Sequence, residues 1–231
     1  NEAPGCEHLI SAGPLDACVD WLARSGPGAL KRIVALSSMS VVHKQQSPLA
    51  AEREIAARLL DSERRLLEFA HEHAIDCTIL RPTLIWGAGL DHSLTPFARH
   101  AAQRGFVVIP SGASGLRQPV HADDLAALCI AVLTRYGLGQ TVAAAGGGEC
   151  LSLARMLVRM AHSCDARVLR MPMPKSVLAM LGRLGATAGI PAAAVLARSV
   201  ADQCAGQDQL WQACGLVPRG FEPTREDWIA S

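Results

Sequence analysis

Few segments of this chain carry residues that could do chemistry. Gly146-Gly147-Gly148 lies between an apolar stretch, Thr141 to Ala145, and a helical pattern that starts near Leu151. A turn of this kind can hold a phosphate on backbone N–H groups at a helix N-terminus. The dinucleotide fingerprint G-x-G-x-x-G would need a glycine where Leu151 stands, so the triplet reads as a strand-to-helix turn. There is no Walker A pattern and no G-x-S-x-G. Gly182, Gly185 and Gly189 do not follow a strand and read as sites of close helix packing.

The 8 cysteines are scattered, and no pair has the C-x-x-C spacing of a zinc or redox site. They read as small hydrophobes in a reducing cytoplasm. His71 and His73, two apart on a helical pattern, point to different sides, so no structural metal is expected. Ser37 and Ser38 end an apolar stretch, Arg32 to Ser37. His43 and Lys44 read as a solvated loop, and Glu54 as a surface charge able to pair with Arg58 one turn on. Arg117 by itself reads as half of a surface ion pair. Asp123 and Asp124 suit the positive end of a helix over Asp123 to Arg135.

These groups must be positioned by the elements around them. His8 to Ala12, Arg32 to Ser37 and Asp76 to Leu80 read as buried strands. Between them lie a helical stretch, Leu15 to Arg24, and a long helix from about Leu49 to His73. Ile55, Leu59, Leu66, Leu67 and Ala70 form that helix's apolar stripe. Buried strands alternating with helices imply an α/β fold with a parallel sheet. The second half is more irregular: helix at Ser93 to Arg104, strand at Phe106 to Ile109, strand at Thr141 to Ala145, helix at Leu151 to His162, strand at Val168 to Met171. Ser176 to Val200 reads as two packed helices.

The 231 residues carry 22 Lys+Arg against 21 Asp+Glu, a net charge of +1 that leaves no electrostatic footprint for nucleic acid. Half of them are hydrophobic, which excludes a disordered chain. The longest apolar run, Leu125 to Leu133, is far short of the roughly 20 residues that span a bilayer, so no membrane partner is expected. No signal peptide is visible, and a start at Asn1 suggests a processed or partial chain.

Two further segments complete the set: Leu80-Arg-Pro-Thr-Leu-Ile-Trp-Gly-Ala-Gly89, and Arg117-Gln-Pro-Val-His-Ala-Asp-Asp-Leu125. The first stands at a strand's carboxyl end, where open α/β sheets bind ligands. With Val34-Ala-Leu-Ser-Ser38 and the long helix before them, their order resembles the extended short-chain dehydrogenase/reductase superfamily, in its NAD-dependent epimerase/dehydratase branch. The resemblance covers nearly the whole chain.

It implies a Rossmann-like parallel sheet, incomplete because its first strands and their glycine-rich turn are missing before His8, with a small mixed C-terminal lobe. Residues 1–135 would form the dinucleotide-binding part, with 84–118 partly in the substrate lobe, and 136–231 would be mainly substrate-binding. It implies NAD or NADP as cofactor, a nucleotide-sugar or similar small-molecule substrate, and homodimers paired through long helices. Cofactor contacts would fall on Ala12, Gly13, Pro14, Ser37, Pro82, Thr83 and Leu84, and substrate contacts on His121 and on Arg117, which matches a position that often meets the substrate's phosphates and reads equally as half of a surface ion pair. Ser38, or Met39, stands near the family's Ser/Thr.

One departure is chemical. The family uses Tyr-x-x-x-Lys on the long helix, with the ammonium lowering the phenol pKa for proton transfer. An ungapped count back from Arg81 puts Glu63 on the family's glutamate, Ile55 on the tyrosine and Leu59 on the lysine. Aliphatic side chains transfer no protons. Tyr136 and the lysines 31, 44 and 175 all lie off the helix. Ser37, Ser38, His43, Lys44 and Glu54 are the polar groups near the sheet edge that could substitute. The alternative is a non-catalytic dinucleotide-binding or scaffold protein.

Overall fold

In a computed structural model, residues 5–47, 49–135, 140–174, 176–178, 180, 199, 201–206 and 209–229 are described. The chain divides into two compact units: Asn1–Pro82 with Leu125–Ala145 and Gly206–Leu216, and Thr83–Asp124 with Gly146–Ala205 and Val217–Ser231.

The first unit is built on a parallel sheet. β1 (His8–Ser11), β2 (Arg32–Leu36) and β3 (Asp76–Pro82) are joined by α1 (Leu15–Ser25) and by α3 (Ala50–Glu72). A one-turn α2 (Ser40–His43) precedes α3. The ladders run in parallel from His8↔Arg32 to Ser11↔Ala35 and from Arg32↔Asp76 to Leu36↔Leu80. The expected adjacency and common direction of these strands therefore hold. β8 (Thr141–Ala145) extends the sheet beside β3, giving the order β1-β2-β3-β8.

Alternation across the strands explains their unbroken apolar sequences. Ile33, Ala35, Cys77 and Ile79 face a core shared with Leu15, Val19 and Leu22 of α1 and Leu66 and Ala70 of α3. Val34, Thr78 and Leu80 point the other way and are also buried, as both faces of a parallel sheet require. On α3 the inward stripe is Ala56, Ser62, Glu63, Leu66 and Ala70, with Ile55, Leu59 and Leu67 half-buried beside it.

The second unit is mixed α/β. β5 (Phe106–Pro110) and β10 (Arg167–Met171) pair in parallel over α6 (Leu153–Ser163) and α4 (Leu94–Arg104). Four two-residue strands, in two pairs, complete it. β4 (Ile85–Trp86) pairs with β7 (Val120–His121), and β6 (Leu116–Arg117) with β9 (Leu151–Ser152). Its aromatic core gathers Trp86, Phe221 and Trp228 around Met156 and Met160. α5 (Ala122–Thr134) passes from one unit to the other, and a short α7 (Gln209–Ala213) belongs to the first.

The helix expected from Leu151 begins at Leu153, because Leu151 and Ser152 are drawn into β9 and the Ser152 hydroxyl then caps α6. Ser176 to Val200, expected as two helices, lies mostly outside the described residues, as do Tyr136 and Lys175. Among the described residues no helix is long and apolar enough to cross a membrane.

Candidate functional site

Because β1, β2 and β3 are parallel, their carboxyl ends share one edge of the sheet, and Ala12-Gly13-Pro14, Ser37 and Pro82 follow or close those ends. Backbone bonds carry the β2–β3 ladder past the strand: the Ser37 N–H donates to Leu80 O at 2.7 Å and the Met39 N–H to Pro82 O at 3.0 Å. The two serines are thereby separated in role.

Ser37 turns its hydroxyl to the Glu63 carboxylate on α3. Glu63 has 3% of its side chain exposed and receives both the Nε and an Nη of Arg81 on β3. A buried carboxylate needs such a fork, since its desolvation is compensated when both oxygens are hydrogen-bonded to a cation. The network pins α3 against the ends of β2 and β3.

Ser38, half-buried, accepts the Ser40 N–H at 3.0 Å on its Oγ, which leaves the hydroxyl proton to be donated. Met39 is buried. Ile55 and Leu59 stand half-buried on α3 with no titratable atom. Glu54 is exposed, while Arg58 lies 3.8 Å from Asp16 of α1. Lys31 is paired with Glu7 at 2.5 Å.

In the second unit Thr83 gives its hydroxyl to Gln118 O, and Leu84 O accepts the Val120 N–H at 2.9 Å. Arg117 is 6% exposed and donates through Nη1 to the carbonyls of Leu116 and Ala201, both at 2.8 Å. His121 is buried edge-to-face against Trp86, with ring centroids 4.5 Å apart. Its Nδ1 accepts the Asp123 N–H at 3.1 Å, so the ring proton sits on Nε2, 3.3 Å from Asp227 Oδ1. His121 thus fixes the turn into α5. Gly87, at φ +90°, makes room for it: a Cβ there would lie 2.5 Å from His121 Nε2. Asp124 takes the Arg219 N–H at 2.8 Å and its Nε at 2.9 Å.

The glycine triplet is a site of close backbone approach. A Cβ on Gly147 would fall 1.9 Å from Pro119 O and one on Gly148 2.1 Å from Pro218 O. The Gly148 N–H already donates to Arg219 O at 3.0 Å. The Gly147 and Gly148 N–H groups thus serve the protein's own carbonyls, and the triplet, expected to turn from strand to helix, leads from β8 into β9, with α6 following.

Two features were not visible in the sequence. Glu149 forms a two-bond pair with Arg159, which holds its carboxyl below the usual range. Cys150 and Cys204 form a disulfide, which corrects the reading of all the cysteines as reduced hydrophobes. Cys77 and Cys129 do fit it, their thiols pushed up by burial to about 12 and about 11. Among the described residues no group of His, Cys, Asp and Glu could hold a metal.

A parallel sheet with crossover helices defines a Rossmann-like α/β protein. Residues 17–144 match the model of the NAD dependent epimerase/dehydratase family, and the chain belongs to that family. Solved structures share the fold. MoeE5 in complex with UDP-glucose and NAD is 18% identical with a TM-score of 0.62, over 93% of this chain and 67% of that one. The UDP-glucose 4-epimerase of Thermotoga maritima with UDP-glucose is 15% identical, TM-score 0.60, over 97% and 75%. RMD from Pseudomonas aeruginosa complexed with NADPH is 14% identical, TM-score 0.62, over 92% and 69%. No curated protein matches the sequence.

Proposed function

We propose that this protein places the nicotinamide half of NAD or NADP at the carboxyl ends of β1, β2 and β3 and acts on a nucleotide-sugar or a similar substrate bearing a hydroxyl or carbonyl. The observation that carries the proposal is the shared edge: Ala12-Gly13-Pro14, Ser37 and Pro82 follow or close three parallel strand ends, beside a Ser38 hydroxyl with a proton to give.

The residues present fit one half of the cofactor better than the other. A Cβ added at Gly13 would meet nothing within 4 Å, so the backbone there is open to a flat ring or ribose. Pro14 has no N–H to offer a phosphate, and Asp16 places a carboxylate in the first turn of α1, the end of a helix where an anion would otherwise be welcome. Ala12, Gly13, Pro14, Ser37 and Pro82, with Thr83 and Leu84 next along the chain, would hold the nicotinamide side. When bound, the cofactor supplies hydride transfer at a carbon bearing oxygen. Ser38 donates a hydrogen bond to the substrate oxygen, and Arg117 and His121 belong to the substrate side. A cytoplasmic location and homodimers paired through α3 complete the proposal.

A second reading, a non-catalytic dinucleotide-binding or scaffold member, is favoured by one observation: Ile55 and Leu59 cannot pass protons. The two separate in one experiment. NADH and NADPH should raise the melting temperature, and UDP-glucose with the oxidised cofactors should turn over slowly. The Ile55→Tyr/Leu59→Lys variant should then be faster by about a hundredfold, the lower end of what a positioned acid–base pair contributes. Stabilisation by cofactor with no turnover of any sugar nucleotide in either form would select the second reading.

A further inference from the structure

The disulfide spans 54 residues and joins two stretches of the second unit. Cys150 is exposed and directly precedes β9. Cys204 lies in a strap, Ser199 and residues 201–206, laid along β6 and the residues around it.

The strap is held by main-chain and side-chain hydrogen bonds together. The Gly115 N–H donates to Ser199 O at 2.9 Å, and the Gln203 N–H to Leu116 O at 2.8 Å. The Leu116 N–H donates to Asp202 Oδ1 and the Ala205 N–H to Gln118 Oε1, both at 2.8 Å. The approach is close enough that a Cβ on Gly115 would fall 2.4 Å from Ala201 O. The same strap engages Arg117, whose Nη1 donates to Ala201 O. It carries little apolar anchorage: Ala201, Asp202 and Gly206 are exposed, and Gln203, Cys204 and Ala205 are half-buried.

We propose that Cys150 and Cys204 form a reversible redox site that clamps this strap over Arg117. Oxidised, the bridge keeps Ala201 O on the guanidinium. Reduced, it releases the strap and withdraws Ala201 O from the guanidinium, opening that donor to an anionic, phosphate-like group. The anion role of Arg117 rests on the function proposed above, whereas the clamp rests on the strap's contacts. The exchange balances with a small dithiol as reductant. One of its thiolates attacks a sulfur of the bridge, and its second thiol resolves the mixed disulfide. Two electrons and two protons pass to Cys150 and Cys204, and the reductant leaves as its own disulfide. Exposure of Cys150 gives that thiolate access. In a reducing cytoplasm the pair rests as thiols and closes under oxidation. Opening a loop of this length should make the strap's excursions about a hundredfold more frequent.

The test uses the whole chain. Air-oxidised protein, denatured without reductant and alkylated, should show 6 modified cysteines out of 8. Labelling of all eight overturns the proposal. In the folded protein, dithiothreitol should accelerate amide exchange at Gly115, Gln203 and Ala205 at least tenfold and leave the β5–β10 ladder unchanged. Gly115→Ala should do the same with the bridge intact. Inorganic pyrophosphate should then bind the reduced chain at least tenfold more tightly than the oxidised one, a gain absent from Arg117→Met. Unchanged exchange on reduction overturns the clamp. Pyrophosphate binding of equal strength in both states, sensitive to Arg117→Met, also overturns it while sparing the anion role of Arg117. Faster exchange without pyrophosphate binding in either state overturns that anion role, and with it the ligand assigned here.

Discussion

Replacing Arg81 by alanine should cost about 3 kcal/mol in urea unfolding, enough to lower the melting temperature by roughly 6–12 °C. The reason is the carboxylate left behind. Glu63 sits with 3% of its side chain exposed, and Arg81 supplies two of its bonds, the Ser37 hydroxyl a third. Without the guanidinium a buried charge keeps one neutral donor, Ser37, and the end of β3 loses its tie to α3. The double variant Arg81→Met/Glu63→Leu should recover to within about 1 kcal/mol of the wild type, since matched apolar groups replace a buried pair at little cost. A single variant that melts normally, or a double no better than the single, would show that the pair does not hold the strand ends.

Trp86→Ala should be at least as damaging to the second unit, by about 3–5 kcal/mol. Trp86 is 2% exposed and packs edge-to-face on Phe221 at 4.9 Å and on His121 at 4.5 Å, with Trp228 at 6.4 Å. No smaller side chain spans that set of rings. Its indole N–H has no hydrogen-bond partner among the described residues, so Trp86→Phe gives up packing without breaking a hydrogen bond. That variant should cost less than half as much as the alanine, again read by urea titration. Equal losses for the two would mean that the indole nitrogen, not the ring packing, matters here.

The first unit was largely legible. Strands buried on both faces leave continuous apolar runs, and Gly13-Pro14 and Arg81-Pro82 mark their ends, so β1, β2, β3 and α3 fall within two residues of their expected limits. Glu63 could be placed by counting, although its bond to Ser37 could not, because Ser37 and Ser38 are the same residue type and only the strand's facing separates them. The second unit was harder. β4, β6, β7 and β9 are two residues each, too short to show a period, and are set by contacts distant in sequence. The pairing of Cys150 with Cys204 is likewise a matter of three-dimensional approach between segments 54 residues apart. Arg117 and His121 were singled out from a motif, but which carbonyl or carboxylate each one meets depends on the strap and on the turn at Asp227.

The strand-end account of cofactor binding is tested most directly by titrating NADH and reduced nicotinamide mononucleotide into the chain and following the dihydronicotinamide fluorescence. With the nicotinamide half held at β1, β2 and β3 and the pyrophosphate facing Pro14 and Asp16, both should saturate, with dissociation constants within a few-fold of each other. Gly13→Trp, which fills open space at the end of β1, should abolish both while the melting temperature holds. Saturable binding that Gly13→Trp leaves untouched, or no binding by either nucleotide, would contradict it.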